Sequence, residues 1–185
     1  MEKNLIDESG KKESYSNIGN SDISWTMVAD TLLFSSDLLY KHGVVKDGFN
    51  IYPVIQMLRG MSVECLLKVA VRYSGKSIVK DEEVILKTHD LLKLSTDTKI
   101  EFSKEEKNIL EDLTTYIQCG RYPISSKMRD MEKTIKLINM IETSHNTITA
   151  KISIWPKDKE DNFKKLIEKL KMFLGNPQND RLEQK

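Results

Sequence analysis

The sequence predicts an all-α fold, a single-domain bundle of five or six helices. Three observations carry this. Apolar residues recur at three- and four-residue steps through several long segments. Capping and stopping residues stand at the ends of those segments. The composition, 39% hydrophobic and 31% charged over 185 residues, suits one globular domain. Residues 1–20 are polar and are expected to form a flexible arm. Residues 21–175 are expected to form the helical domain, and 176–185 a flexible tail.

The first helix is "SDISWTMVADTLLFSSDLLYKHG". Ser21 or Asp22 can cap it, Trp25, Val28, Leu32 and Leu39 recur at helical steps, and Gly43 stops it. Pro53 suits the first turn of the next helix, "PVIQMLRGMSVECLLKVAVRYSG". Val54, Leu58, Met61, Cys65, Leu66, Val69 and Tyr73 give that helix a broad apolar face, and Gly75 closes it. Gly60 in its interior costs roughly 1 kcal/mol against Ala; a close helix–helix crossing explains it. Glu64 and Lys68 form an i, i+4 pair.

"KTHDLLKL" reads as a short helix capped by Thr88. In "SKEEKNILEDLTTYIQCG", Ser103 and Glu106 make a capping box, and Ile109, Leu110, Leu113, Tyr116 and Ile117 form a buried stripe. "KMRDMEKTIKLINMIETS" reads as helical and "HNTITAKISIW" as extended. The last helix, "KDKEDNFKKLIEKLKMFLG", carries a stripe from Phe163 to Leu174, with Glu160–Lys164 and Asp161–Lys165 as surface ion pairs. Trp155 is expected to pack on the bundle.

Composition excludes several function classes. Lys plus Arg is 29 and Asp plus Glu 28, so no global basic footprint for nucleic acid exists. Cys65 and Cys119 make no disulfide framework or zinc motif and read as apolar fillers, with a disulfide or a reactive thiol as the alternative. "MEKNLIDESGKK" lacks the apolar core of a signal peptide, and no apolar run approaches the ~20 residues of a membrane span. A cytoplasmic protein with no membrane role is expected. There is no Gly-rich phosphate loop, no H-E-x-x-H and no nucleophile elbow. Three histidines argue against a His-rich metal site, and no cofactor is expected. His42 sits beside a helix end, where a cation is favoured, and His145 lies in a loop.

Polar residues stand where a bundle is normally apolar: Glu64 and Lys68, then His89 and Asp90, then Arg121 and Tyr122. In "CGRYPIS", Gly120 and Pro123 suffice to stop a helix and turn. Arg121 and Tyr122 are not needed for that. We expect the Arg121 guanidinium to turn inward toward Glu64 or the His89 region, with the Tyr122 ring over the central helix.

Taken in order, "GMSVECLLKVAV", "KTHDLLKL" and "CGRYP" resemble the HEPN superfamily, in particular bacterial members with an A-x-E-x-L-L-K type helix, an H-D-L-x-x-L helix and a G-R-Y-P turn. The resemblance runs from about Trp25 to Pro123. It implies an up-down helical bundle that forms a homodimer. It also implies toxin–antitoxin, phage-defence or RNA-processing systems, where many such domains are metal-independent ribonucleases. RNA and a partner protein, such as an antitoxin or a nucleotidyltransferase, are the partners it implies. Those nucleases usually carry Arg, four to six residues, then His within one helix. Here "YPISSKMRD" follows Arg121 without a His, and Arg59 and Arg72 have none at that spacing. Many relatives are instead non-catalytic interaction modules.

Metal-free RNA cleavage needs a base for the 2′-OH and a cation for the developing phosphorane charge. His89 and Arg121 are the candidates, with Glu64 orienting either. The dipole at a helix N-terminus disfavours a cation, which suits His89 to the base's role. The same three residues also read as a structural polar knot, pinning the turn and the short helix to the central helix. Lys68, Tyr122, Lys127 and Arg129 are the candidate substrate-binding residues. "RYPISSKMRDMEKTIK" holds five Lys/Arg against Asp130 and Glu132, either a solvated face or a phosphate-contacting rim. Met128, Met131 and Met140 are the apolar surface expected to serve dimerisation.

Overall fold

In the computed structural model, residues 13–14, 17–43, 45–46, 49–80, 83–84, 88–121, 138–142, 148–152 and 154–175 are described. Five helices build the bundle among them: α1 (Asp22–Lys41), α2 (Tyr52–Tyr73), α3 (Leu91–Thr96), α4 (Lys104–Arg121) and α5 (Lys157–Leu174). The connections carry short antiparallel hairpins: β1 (Val45–Lys46) with β2 (Phe49–Asn50), β3 (Val79–Lys80) with β4 (Glu83–Val84), and β5 (Ile138–Glu142) with β6 (Ile148–Ile152). The fold class is the all-α bundle that the periodicity implies. The reading of 138–142 as helix is corrected. Ile138 faces Ile152, and Met140 faces Ala150, in a regular register; β-branched residues on a pleated pair account for the strand.

α2 runs through the middle. A helix in that position is buried on all sides, whatever its periodicity. Residues 62–71 of α2 are all buried, Ser62, Glu64 and Lys68 included. Of the expected apolar face, Cys65, Leu66, Val69 and Tyr73 are buried, whereas Val54 is corrected: it is 44% exposed. Leu66, Leu67, Leu91, Leu94, Leu110, Leu113, Ile117, Leu166 and Leu170 are fully enclosed and join four helices in one core. Each contributes about 1.5–3 kcal/mol of burial. Among the described residues, no helix is long and apolar enough to cross a membrane.

Small residues set the crossings. A Cβ on Gly60 would lie 2.7 Å from Ile117 Cγ1 and 3.0 Å from the Leu113 carbonyl oxygen. The helix-interior glycine is thus the contact point between α2 and α4. On α1, buried Ala29 and Ser36 let the backbone approach α2, and the Ser62 hydroxyl donates to the Ala29 carbonyl at 2.8 Å. Val28, expected inside, is 49% exposed, because the short residues hold the inner face.

Local signals behave as their chemistry requires. Ser21 caps α1, accepting from Ser24 N–H at 3.3 Å. Gly43 and Gly75 adopt positive φ at 103° and 89° after α1 and α2. Both halves of the capping box form: Glu106 accepts from Ser103 N–H at 2.7 Å, and Ser103 Oγ from Glu106 N–H at 3.2 Å. α3 is capped by Asp90 in place of the expected Thr88; Asp90 accepts from Lys93 N–H at 3.0 Å, and Thr88 Oγ1 from Asp90 N–H. α4 continues through Gly120 to Arg121. The Trp25 indole of α1 donates back to the Gly19 carbonyl, and ahead of α1 Asn20 Oδ1 accepts from Ile78 N–H. The described fold therefore begins ahead of Ser21.

Candidate functional site

Glu64 and Lys68 are one turn apart on α2, so their side chains share a face. Both are buried, 6% and 5% exposed. Lys68 Nζ donates to Glu64 Oε1 at 2.8 Å and lies 4.9 Å from the centre of the Trp25 ring. His89 stands just before α3. Its backbone position is fixed by the Asp90 cap, by the Leu91 N–H donating to Thr114 Oγ1 of α4, and by enclosed Leu91 and Leu94. That places His89 Nδ1 2.9 Å and 3.1 Å from the two Glu64 oxygens.

An ionised carboxylate can only accept, so Nδ1 carries the proton in this contact. The His89 side chain remains 39% exposed, against 8% for Glu64. The buried carboxylate holds the half-open imidazole in one orientation. Lys68 supplies the counter-charge that makes a buried Glu64 tolerable.

Glu64 and His89, predicted together, are together. Lys68, expected among the substrate-binding residues, turns inward to Glu64 and Trp25. The physical reason is the all-round burial of α2. The Arg121 side chain, Tyr122, Lys127 and Arg129 lie outside the described residues, as do His145, Met128, Met131 and the Met140 side chain. His42 caps the exposed C-terminus of α1. Burial, aided by the Glu64 charge, pushes the Cys65 thiol up to about 11, with Lys68 opposing, so Cys65 is an inert filler near neutral pH. Among the described residues, no cluster of His, Cys, Asp and Glu could hold a metal ion.

Sequence reading missed a second constellation. Arg59 of α2 and Glu160 of α5 are 3% and 8% exposed, and Arg59 Nη1 donates to both Glu160 oxygens at 2.9 Å. The guanidinium carbon lies 4.8 Å from the Phe163 ring centre and 5.2 Å from that of Tyr40. Glu160 was expected to pair with Lys164 on the surface; Lys164 turns to Asp161 instead, at 3.8 Å. The available signal was the spacing: Glu160 is three residues before Phe163, on the same inward stripe. The pair floors an open cleft of 450 Å³, rimmed by Asp37, Lys41, Lys157, Asp161 and Lys164. Trp155 also lines it, its backbone N–H donating to the Tyr52 hydroxyl at 2.7 Å. Charges of both signs line the rim, so the cleft has no single electrostatic preference.

No family model, no curated protein and no solved structure matches this chain.

Proposed function

We propose that the chain is an HEPN-like domain protein of an intracellular toxin–antitoxin or phage-defence type system, acting as an RNA-directed effector through metal-independent cleavage. The observation that carries the reading is the Glu64–His89 pair, with a buried orienting carboxylate and a half-open imidazole. In the reaction, His89 Nε2 takes the proton of a ribose 2′-OH. The 2′ oxygen bonds to phosphorus, the P–O5′ bond breaks, and the leaving oxygen takes a proton from the imidazolium or from water. Arg121 is the cation assigned to the phosphorane charge. The three ordered motifs support the family, and they support RNA as the target.

The test is incubation of the purified chain with tRNA or total RNA, with and without EDTA. Cleavage that survives EDTA and is lost in folded His89→Ala and Arg121→Ala variants is expected. Intact RNA with all three proteins would reject catalysis.

A second reading is a non-catalytic, dimerising interaction module that docks a partner such as an antitoxin or nucleotidyltransferase. It is favoured by an outward apolar stripe on α1, where Ile23, Met27 and Phe34 are 73%, 65% and 69% exposed. Self-association without RNA cleavage is the outcome expected from it.

A further inference from the structure

We infer that two copies of this chain pair through the outward face of α1, antiparallel about a two-fold axis between Asp30 and Thr31. This deepens the dimerising reading, and rests on it, by naming the surface.

α1 has two apolar faces. The inner one, built on Ala29 and Ser36, lies against α2. The outer one carries Ile23, Met27, Phe34 and Leu38, which are 73%, 65%, 69% and 47% exposed. At 100° per residue these four positions fall within about 60° of the helix circumference. A bundle helix that had only its own core to serve would carry polar residues there.

The stripe is self-complementary. Ile23 and Leu38 are equally far from the Asp30–Thr31 midpoint, and so are Met27 and Phe34. An antiparallel two-fold pairing therefore sets Ile23 against Leu38 of the second copy, and Met27 against Phe34 of the second copy. Such pairing of one patch with itself is the isologous contact of a C2 dimer.

Charge agrees. Asp30, at the stripe edge, pairs with Lys171 of α5 at 2.7 Å, and both side chains are about half exposed. The two-fold brings two such pairs to the axis. Their signs can alternate there, with each lysine serving both aspartates. A membrane-lying helix would instead flank its apolar face with Lys and Arg; here Asp30 and Asp37 hold the flank.

The exposed apolar area, roughly 500 Å² per copy, is at the upper end for a monomer's patch and at the lower end for a specific interface. A dimer with a Kd of about micromolar order is the expectation.

The experiment is light scattering and sedimentation on the full chain, from about 1 to about 500 μM. Wild type should pass from monomer to dimer, and Phe34→Asp and Met27→Asp should each weaken dimerisation at least about tenfold with unchanged circular dichroism. Both sites are exposed, so the core is untouched. For the register, mixed Met27→Cys and Phe34→Cys chains should cross-link faster than either alone. A wild-type chain monomeric throughout would overturn the surface and the dimerising reading together. A dimer indifferent to both charge substitutions would overturn the surface alone. A monomer that sediments with anionic or neutral phospholipid vesicles would overturn the proposal in favour of a lipid surface.

Discussion

Glu64 accepts from His89 Nδ1 through both carboxylate oxygens, at 2.9 and 3.1 Å, while Lys68 Nζ donates to Oε1 at 2.8 Å. The two donors differ in burial: the Lys68 side chain is 6% exposed and that of His89 39%. The pair with Lys68 is an interior ion pair, and the bond to His89 faces a boundary with solvent. Removing one or the other partner therefore has different consequences.

Lys68→Met should destabilise by about 3 kcal/mol, because it leaves the Glu64 carboxylate buried without its counter-charge. His89→Ala should cost about 1 kcal/mol or less in folding, since the ring is only partly enclosed. Urea unfolding of the two variants checks this ordering. Equal losses would show that the histidine is a structural member of the knot on the same footing as the lysine.

Most helices were legible because each rests on local chemistry: Ser103 and Glu106 are three residues apart, and the stripe from Ile109 to Ile117 lies on one helix; the α3 cap was not, because Thr88 and Asp90 are both capping residues only two apart. Glu64 with His89 was legible from residue type, as polar side chains in an apolar context. Arg59 with Glu160 was not, because 101 residues separate them and an i, i+4 lysine offered Glu160 a nearer partner. Only the phase of Glu160 relative to Phe163 marked it as inward. The two apolar faces of α1 cannot be ranked by periodicity alone. What decides between them is backbone approach, which favours Ala29 and Ser36 over Val28 on the side of α2. The segment Ile138–Glu142 mixes the residues of both periods, and only its pairing with Ile148–Ile152 selects the strand.

Arg59 and Glu160 should behave as a unit. Glu160→Ala strands a buried guanidinium and should cost about 3–5 kcal/mol. Arg59→Met combined with Glu160→Leu removes both charges, fills the space with apolar atoms and should recover most of that loss. A double-mutant cycle in urea measures the coupling. An additive double variant would mean that the two side chains do not depend on one another.

Gly60 should reject even one added carbon. Alanine gains roughly 1 kcal/mol of helix propensity over glycine. Its Cβ would meet Ile117 Cγ1 at 2.7 Å and the Leu113 carbonyl oxygen at 3.0 Å. The clash involves backbone as well as side chain, so α2 and α4 must move apart. Gly60→Ala should lose about 1–3 kcal/mol net, and Gly60→Leu more. A Gly60→Ala protein that melts at or above the wild-type temperature would contradict the crossing.

Cys65 should make stability fall with alkalinity. Burial first, and then the nearby Glu64 charge, raise its thiol from 9.0 to about 11, against the opposing pull of Lys68. The unfolded chain ionises this thiol at the ordinary value, whereas the folded chain keeps its proton longer. Between those values the unfolded state binds fewer protons, so stability declines as pH rises. The contribution is fully present below about pH 9 and lost through about pH 11, worth about 3 kcal/mol in all. Tyr52, whose burial also raises its hydroxyl, acts in the same sense at higher pH. Cys65→Ala removes the thiol's share and leaves that of Tyr52. Urea midpoints measured between about pH 8 and pH 11 should therefore fall less steeply in Cys65→Ala than in wild type. Parallel curves would show that the Cys65 thiol ionises alike in the folded and unfolded chain.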